Sequence, residues 1–319
     1  MTTDTDTETT WESRDTAMQE VLNTARIVAA TQVNTLLLGE HGSGKQFLAR
    51  AIHAHSPRSR APFVAVNCGV LPAAQAESLL FGDFSETADG SGDSAAGYVR
   101  TAAGGTLFLE DVSCLNSATQ VRLLHLLERG EIIPHGATMP VSVDVRIIAA
   151  SHRDLTQAMA EGGFHPDLFY QLHVVPLTLP PLRERPRDIA NLARRLLSEL
   201  AAQHDVEAAQ LEQSAQQLLV AYSWPGNVRE LRNLCERLTL LLPGRKITDD
   251  NLPGEFRRPG GTIAGTVALP STGLNLAELE KDLIAQALER TGGNRSRAAR
   301  LLGLTRDTLL YRLKKFALR

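Results

Sequence analysis

Hydrophobic residues recur along the first two thirds of the chain with two different spacings. Helical spacing marks residues 17–30 and 47–55. Compact apolar runs with the length of buried strands lie at 35–39, 63–68, 105–111 and 143–151. Strands that alternate with helices predict a parallel sheet with crossover helices, and therefore an α/β core. From about residue 186 to 240 the spacing is helical throughout, which predicts a small helical lid after that core.

The rest of the chain divides into a segment without periodicity and a short helical segment. Residues 253–273 are rich in Gly, Pro, Ser and Thr, which predicts a flexible linker. Residues 274–319 predict two or three short helices around a Gly-containing turn, an arrangement typical of a helix-turn-helix. The predicted organisation is a disordered tail at 1–16, an α/β core at 17–185, a lid at 186–252, the linker at 253–273 and a small all-α domain at 274–319.

Composition is that of an ordinary globular protein, with 43% hydrophobic and 22% charged residues. No run of 18 apolar residues occurs, and the N-terminus lacks the basic and apolar regions of a signal peptide. The three cysteines, Cys68, Cys114 and Cys235, show no CxxC spacing. We therefore expect a cytoplasmic protein without a membrane partner, in which the cysteines are small buried hydrophobic residues.

Charge is distributed unevenly, although the net charge is only -3. Residues 290–319 contain nine Lys or Arg and one acid, Asp307, which leaves +8 in this segment and -11 on the rest of the chain. A basic segment on an acidic body indicates that the segment binds a polyanion, such as DNA. A basic pair of solvated helices is the alternative interpretation.

A glycine-rich stretch, GEHGSGKQ, follows the first predicted strand and precedes a predicted helix, as G-x-x-x-x-G-K phosphate loops do. Its glycines let backbone N–H groups surround phosphates, and Lys45 is placed to reach the β- and γ-phosphates. Gln46 replaces the Ser or Thr that usually helps to hold Mg²⁺. A chance Gly-rich turn is disfavoured by the flanking strand and helix. The predicted nucleotide-binding residues are Gly39, Glu40, His41, Gly42, Ser43, Gly44, Lys45 and Gln46.

Two acids, Glu110 and Asp111, end the predicted strand at 105–111. Acids at the carboxyl edge of a central strand can hold Mg²⁺ and orient water. An ordinary strand end followed by a polar turn is the alternative, and the phosphate loop upstream favours the functional interpretation. We therefore expect ATP and Mg²⁺ as ligands, with Glu110 contacting the metal through the nucleotide.

Residues 35–256 resemble the AAA+ domain of sigma-54-dependent activators, also called bacterial enhancer-binding proteins. The matching motifs are GEHGSGK at 39–45, AIHAHSPRS at 51–59, PFVAVNC at 62–68, ESLLFG at 77–82, GGTLFLED at 104–111, VDVRIIAASHRDL at 143–155, LPPLRER at 179–185 and WPGNVRELRN at 224–233. The resemblance implies a hexameric ATPase that remodels the sigma-54 RNA polymerase holoenzyme. It also implies that Arg229 contacts nucleotide from the lid and that Asn67 positions the catalytic acid.

Several positions depart from the family pattern. The acidic pair is reversed, so the expected base, Asp111, is one methylene shorter than the usual Glu. A misplacement of about 1 Å can cost on the order of 100-fold in rate. The GAFTGA loop, which the family directs towards sigma-54, aligns with ETADGS at 86–91 and has no aromatic residue. Arg100 stands where the family has a Glu that pairs with the asparagine at position 67.

The family's two arginine fingers align with His165 and Gln171 in FHPDLFYQ at 164–171. An arginine finger contributes on the order of 10³–10⁵-fold to turnover, and neutral side chains do not replace its planar guanidinium. Because the fingers and the loop differ together, we expect ATP binding with weak hydrolysis. Sigma-54 RNA polymerase is then a doubtful partner. Tolerated variation at these positions is the alternative.

The end of the chain resembles the Fis-type helix-turn-helix domain of the same family. In that geometry the last helix enters the major groove, so Thr305, Arg306, Thr308 and Leu309 would face base edges and basic residues would face phosphates. Fis-type domains pair as two-fold dimers, which implies a palindromic site in double-stranded DNA. The predicted DNA-binding residues are Arg295, Ser296, Arg297, Thr305, Arg306, Thr308, Leu309, Arg312, Lys314 and Lys315.

Two functions are consistent with these observations. In the first, a nucleoid-associated DNA-binding regulator holds ATP, hydrolyses it weakly, and acts as a repressor or modulator, as a homo-oligomer or in mixed rings with an intact AAA+ paralogue. In the second, the chain is an ATP-hydrolysing activator of sigma-54 RNA polymerase. The basic tail disfavours a third class, a chaperone or protease subunit. No receiver or ligand-sensing domain precedes residue 17, so we expect control through abundance, nucleotide or a partner.

Overall fold

A computed structural model describes residues 12–85, 93–256 and 276–316. The chain divides into two compact units, residues 1–261 and 262–319. The first unit contains α1 (Thr16–Ala29), β1 (Thr35–Leu38), α2 (Lys45–Ala54), β2 (Phe63–Asn67), α3 (Ala76–Phe81), β3 (Asp83–Ser85), β4 (Asp93–Ala95), α4 (Gly97–Thr101), β5 (Thr106–Glu110), α5 (Ser117–Arg129), β6 (Glu131–Ile132), β7 (Val141–Ser142), β8 (Arg146–Ser151), α6 (Leu155–Ala160), α7 (Pro166–Leu172), β9 (Val175–Thr178), α8 (Pro186–Gln203), β10 (Gln210–Leu211), α9 (Gln213–Ala221), α10 (Asn227–Leu241) and β11 (Lys246–Ile247). The second unit contains α11 (Leu276–Arg290), α12 (Arg295–Leu301) and α13 (Arg306–Lys315).

The core of the first unit is a five-stranded sheet of order β2-β5-β8-β1-β9, in which neighbouring strands are parallel. The four predicted strands form its interior and one edge, so the predicted α/β fold is confirmed. The strand β9, at the other edge, was not predicted. Parallel alignment brings the carboxyl ends of the strands to one edge, where the candidate site lies.

Helices cover both faces of this sheet. Leu36, Leu107 and Leu109 pack into a cluster with α3, α4, α5 and α7, whereas Leu37 and Phe108 pack with α1 and α2 on the opposite face. Successive residues of a strand point to opposite faces, so a strand covered on both sides is apolar at every position. This explains why these strands appear in the sequence as continuous apolar runs.

The lid consists of α8, α9 and α10 around their own core, in which Trp224 is fully buried and donates a 2.8 Å hydrogen bond to the Leu219 carbonyl. The predicted helical character of this part is confirmed for these helices. The short parallel pair β10–β11 was not predicted. Two-residue strands are too short to produce a recognisable alternation of polar and apolar residues.

The N-terminal segment differs in part from the predicted disordered tail. Residues 1–11 lie outside the described part of the chain, and α1 begins at Thr16. Before it, the Asp188 carboxylate accepts hydrogen bonds from the Ser13 hydroxyl at 2.6 Å and the Arg14 backbone N–H at 2.7 Å. These residues are therefore tied to α8, through a contact between residues more than 170 positions apart.

Burial of the cysteines agrees with the sequence analysis at two positions. Cys68 and Cys235 are buried, and burial raises the pKa of each thiol to about 12. Cys114 is exposed, so the prediction of a buried residue was wrong there. Within the described ranges, no helix has the length and apolar composition needed to cross a lipid bilayer.

The second unit is a small three-helix domain, as predicted. Ile284 and Ala287 of α11, Ala298 and Ala299 of α12, and Leu309 and Leu313 of α13 form its core. Its two later helices begin after polar capping residues. The Asn294 side chain accepts from the Arg297 N–H, and the Thr305 hydroxyl accepts from the Thr308 N–H.

Candidate nucleotide site and DNA-binding surface

The predicted phosphate loop lies between β1 and α2, at the carboxyl edge of the sheet. Gly42 has a φ of +72°, and a Cβ atom there would lie 2.4 Å from the Gly226 carbonyl oxygen. Both the backbone conformation and the close approach of the lid therefore require glycine. Gly44, with a φ of +106°, directly precedes α2. The loop thus reaches the N-terminus of a helix, where backbone N–H groups favour anions.

Lys45 is buried in this loop, and its Nζ atom donates to the carbonyl oxygens of Gly39 at 2.7 Å and Glu40 at 3.0 Å. Burial lowers the pKa of Lys45, while the charges of Asp111 and Glu110 oppose that shift. The buried Ser43 hydroxyl has no hydrogen-bond partner among the residues that the structure describes. A buried cation and an unpartnered hydroxyl in a glycine loop fit the phosphates of a nucleotide.

Contacts from the lid, and from residues 183–185 just before it, hold the loop from the other side. The Glu40 carboxylate accepts two hydrogen bonds from Arg183, at 2.8 and 2.6 Å, and one from the Asn227 amide at 3.0 Å. These hydrogen bonds lower the pKa of Glu40 from 4.5 to about 2, and those from Arg183 have the largest effect. The Val228 N–H donates to the Gly42 carbonyl at 2.9 Å. The buried Arg185 guanidinium donates to the Ser43 carbonyl at 2.7 Å.

The predicted acids lie at the end of β5, next to the end of β2. Asn67 and Glu110 are paired in register on these neighbouring strands, and the Asn67 amide lies 3.4 Å from a Glu110 carboxylate oxygen. Asp111 follows with a φ of +55° and is buried. One of its carboxylate oxygens lies 2.7 Å from Nδ1 of His152. The structure therefore brings Asn67, Glu110 and Asp111 together, and adds His152 to them.

His152 follows β8 and was not among the predicted site residues. Its imidazole contacts that of His41, with ring centroids 3.7 Å apart and the ring planes tilted by 33°. Burial is the largest cause that lowers the pKa of His41, and the charge of His152 is the second largest. The signal that could have identified His152 is its position directly after the central strand β8, since polar residues at the carboxyl ends of parallel strands share one edge of the sheet.

Arg229 and Gln46 occupy the first turns of α10 and α2, and both side chains are exposed. A Cβ atom added at Gly42 would lie 3.0 Å from the Cβ atom of Arg229, so Arg229 lies beside the phosphate loop. The charge of Arg229 contributes to lowering the pKa of both Lys45 and His41. Gln46 is the second residue of α2, directly after the loop, and offers a neutral amide where the usual residue is a Ser or Thr with a hydroxyl.

The residues at the two finger positions lie on α7. The His165 side chain caps this helix by accepting a 3.3 Å hydrogen bond from the Asp167 N–H, and its backbone N–H donates to Gln120. Gln171 is half-buried in the last turn. The loop predicted to replace GAFTGA, at 86–91, lies outside the described residues, between β3 and β4.

The predicted DNA-binding residues are mostly exposed, but two are placed differently. Leu309 was predicted to face base edges and is fully buried in the domain core, so that prediction was wrong. Arg312 was predicted to face phosphate and forms an ion pair with Glu280 of α11. Tyr311, which is not among the predicted residues, is 70% exposed on the same helix. The exposed or half-exposed members of the predicted set are Arg295, Ser296, Arg297, Thr305, Arg306, Thr308, Arg312, Lys314 and Lys315.

Family comparisons cover nearly all of the described chain. Residues 12–178 match the Sigma-54 interaction domain, residues 183–264 the AAA+ ATPase lid domain, and residues 275–316 the bacterial regulatory protein, Fis family. The chain belongs to the family of sigma-54-dependent transcriptional regulators. The resemblance inferred from the sequence motifs is thereby confirmed.

Individual relatives support the same assignment. The transcriptional regulatory protein ZraR of Klebsiella oxytoca is 42% identical over 94% of this chain and 67% of its own length. The regulatory protein AtoC of Escherichia coli K12 is 37% identical over 95% of this chain and 66% of its own length. The DNA-binding transcriptional regulator NtrC of the same strain is 39% identical. This chain therefore spans about two thirds of the length of these relatives.

Solved structures of NtrX from Brucella abortus share the fold. The complex with ADP has a TM-score of 0.72 at 34% identity, covering 96% of this chain and 69% of NtrX. The complex with ATP has a TM-score of 0.69 at the same identity, covering 96% of this chain and 68% of NtrX.

Proposed function

We propose that this chain is a DNA-binding transcription regulator whose AAA+ domain binds ATP with Mg²⁺ but hydrolyses it weakly. It acts on DNA in the cytoplasm as a repressor or modulator, or in mixed rings with an intact AAA+ paralogue that supplies arginine fingers. The observation that carries this proposal is His165, which occupies a finger position and uses its imidazole to cap its own helix.

Nucleotide binding is supported by the phosphate loop and by the solved ATP and ADP complexes of NtrX. In this chain Lys45 would hold the phosphates, Arg229 would contact them from the lid, and Glu110 would hold Mg²⁺. Bound Mg²⁺ supplies charge neutralisation for phosphoryl transfer. The Asn67 amide, near Glu110, orients that carboxylate.

Weak hydrolysis is supported by two features. Neither His165 nor Gln171 offers the planar cation that stabilises charge in phosphoryl transfer. Asp111 is one methylene shorter than the Glu that the family has at this position. A third feature concerns contact with sigma-54 instead: the loop at 86–91 lacks the aromatic residue that the family presents to sigma-54. With these three features, we expect the chain to bind nucleotide without opening promoters by itself.

DNA binding is supported by the family of residues 275–316 and by the exposed basic side chains of α12 and α13. Thr305, Arg306 and Thr308 lie at the start of α13, where the recognition helix of a helix-turn-helix contacts base edges. Two such domains, paired as a two-fold dimer, would recognise a palindromic DNA site.

The alternative is an ATP-hydrolysing activator of sigma-54 RNA polymerase. The close contact of Asp111 with His152, 2.7 Å apart, favours it, because a carboxylate and an imidazole so arranged can orient attacking water. This alternative assigns the usual catalytic roles to the variant side chains.

ATP turnover by the full chain at high protein concentration, with and without duplex DNA, distinguishes the two functions. We expect tight ATP binding with turnover well below about 1 s⁻¹, the lower end of typical enzymes. The double substitution His165→Arg and Gln171→Arg should raise turnover on the order of 100-fold or more, because it restores both fingers. Tyr170→Arg, which adds a cation at an exposed position of the same helix, is the control. Turnover by the unaltered chain at or above about 1 s⁻¹ would refute the proposal.

A further inference from the structure

Two histidines and an aspartate, on three elements distant in sequence, converge beside the phosphate loop. His41 belongs to the loop, Asp111 follows β5 and His152 follows β8. One nitrogen of each imidazole and one carboxylate oxygen all lie within 4.8 Å of one another. The proposed function assigns no joint role to these three side chains.

Their geometry is close to that of a metal site before the ion enters. Ligand atoms of a tetrahedral site with bonds of about 2.0–2.1 Å lie roughly 3.4 Å apart. The His152 Nδ1 atom and an Asp111 carboxylate oxygen are 2.7 Å apart, and the centroids of the two imidazole rings, whose planes are tilted by 33°, are 3.7 Å apart. Asp111 is buried, whereas the His41 side chain is exposed and therefore has room to adjust to an incoming ion.

We propose that His41, Asp111 and His152 form a binding site for a divalent transition-metal ion of the Zn²⁺, Co²⁺ or Ni²⁺ class. Two imidazole nitrogens and one carboxylate oxygen suit these ions, whereas Mg²⁺ prefers ligands that are all oxygen. Three protein ligands leave one coordination position open, as in sites that exchange a water or a substrate.

Neighbouring charges determine how tightly such an ion is held. Lys45 and Arg229 act electrostatically on His41 and oppose a second cation, while the carboxylates of Asp111 and Glu110 favour it. We therefore expect a site that is weaker than a closed structural zinc site with four protein ligands. An ion held there also occupies the Asp111 carboxylate, so it would lower any ATP turnover that the chain has.

Titration of the nucleotide-free full chain with Co²⁺, followed by visible absorption, tests the site without depending on ATP. We expect one equivalent to bind, Zn²⁺ to displace it, and millimolar Mg²⁺ to leave it in place. His41→Ser and His152→Asn should each reduce the affinity by at least about 100-fold, since each removes a direct ligand. His55→Ala is the matched control, because His55 is an exposed histidine at the end of α2 and is not one of the three proposed ligands.

The decisive variant is His41→Ser, because His41 is exposed and its replacement should leave the fold intact. Its unfolding temperature without metal should match that of the unaltered chain, and added Zn²⁺ should stabilise the unaltered chain alone. Equal Co²⁺ affinity in His41→Ser and the unaltered chain would overturn the proposal. Displacement of Co²⁺ by Mg²⁺ would also overturn it, because a site of oxygen ligands would then be responsible.

Discussion

Glu40 joins the phosphate loop to the lid through a single side chain. Two hydrogen bonds from Arg183 and one from Asn227 favour the ionised carboxylate and hold its pKa at about 2, against an ordinary 4.5. A group whose pKa is depressed by folding contributes stability above its unfolded pKa, and that contribution is lost as the pH falls towards the folded pKa. For Glu40 this window runs from about 4.5 down to about 2.

Glu40→Gln should therefore lower the unfolding temperature at pH 7, and the difference from the unaltered chain should shrink below about pH 4.5. The loss should be small, about 1 kcal/mol or less, because the side chains of Glu40 and Arg183 are 43% and 42% exposed and solvent screens them. Thermal unfolding of both proteins across this pH range measures it. Glu20→Gln, at an exposed position of α1, serves as the control. A difference that grows as the pH falls would contradict this assignment.

At the scale of elements, α13 shows where sequence patterns are insufficient. Its sequence contains adjacent leucines, so more than one face can be interpreted as the buried one. Packing against α11 and α12 selects Leu309 and Leu313, four residues apart, and leaves Arg306 and Tyr311 exposed. The face of a short helix is thus determined by its neighbours, which a single sequence does not specify.

Leu309→Ala and Arg306→Ala should separate folding from DNA contact in this domain. Removal of the fully buried Leu309 side chain should cost about 2–5 kcal/mol and increase amide exchange throughout α11–α13 of the full chain. Arg306→Ala should leave amide exchange unchanged and weaken binding to the cognate duplex by about 1–3 kcal/mol. Hydrogen exchange and fluorescence anisotropy measure the two effects. Normal exchange in Leu309→Ala would show that this side chain does not support the core.

Strand prediction succeeded where burial on both faces produces an uninterrupted apolar run, as in β1, β5 and β8. It failed for β9, whose sequence includes Pro176. Proline lacks the N–H of a strand ladder and disfavours a central strand, but β9 lies at the edge of the sheet, where one side of the ladder is unpaired. The contact of His152 with Asp111 joins residues 41 positions apart, so only the folded sheet brings them together.

At the scale of the whole molecule, opposite charges are concentrated in different parts of the chain. Residues 290–319 carry +8 and the remainder carries -11. The basic segment attracts DNA phosphates, whereas the acidic remainder repels them. DNA affinity should accordingly depend steeply on salt, through counterions released at each phosphate contact.

Lys315→Gln should reduce the magnitude of the slope of log affinity against log salt by about 0.9 for each protomer, since one phosphate contact is lost. Arg312→Gln should leave that slope unchanged, because Arg312 pairs with Glu280 inside the domain. Anisotropy of a labelled duplex between about 50 and 200 mM salt, with the full chain, measures both. A reduced slope in Arg312→Gln would indicate that its guanidinium reaches the phosphates after all.

The bonds between phosphate loop and lid also determine where the chain can be cut. Residues 12–178 match one family and 183–264 another, which invites expression of the first part alone. A fragment that ends at residue 178 loses the Arg183 partner of Glu40, the Arg185 bond to Ser43 and the Val228 bond to Gly42. Such a fragment should be an easy substrate for proteases at this loop, whereas one that extends to residue 256 keeps every one of these bonds.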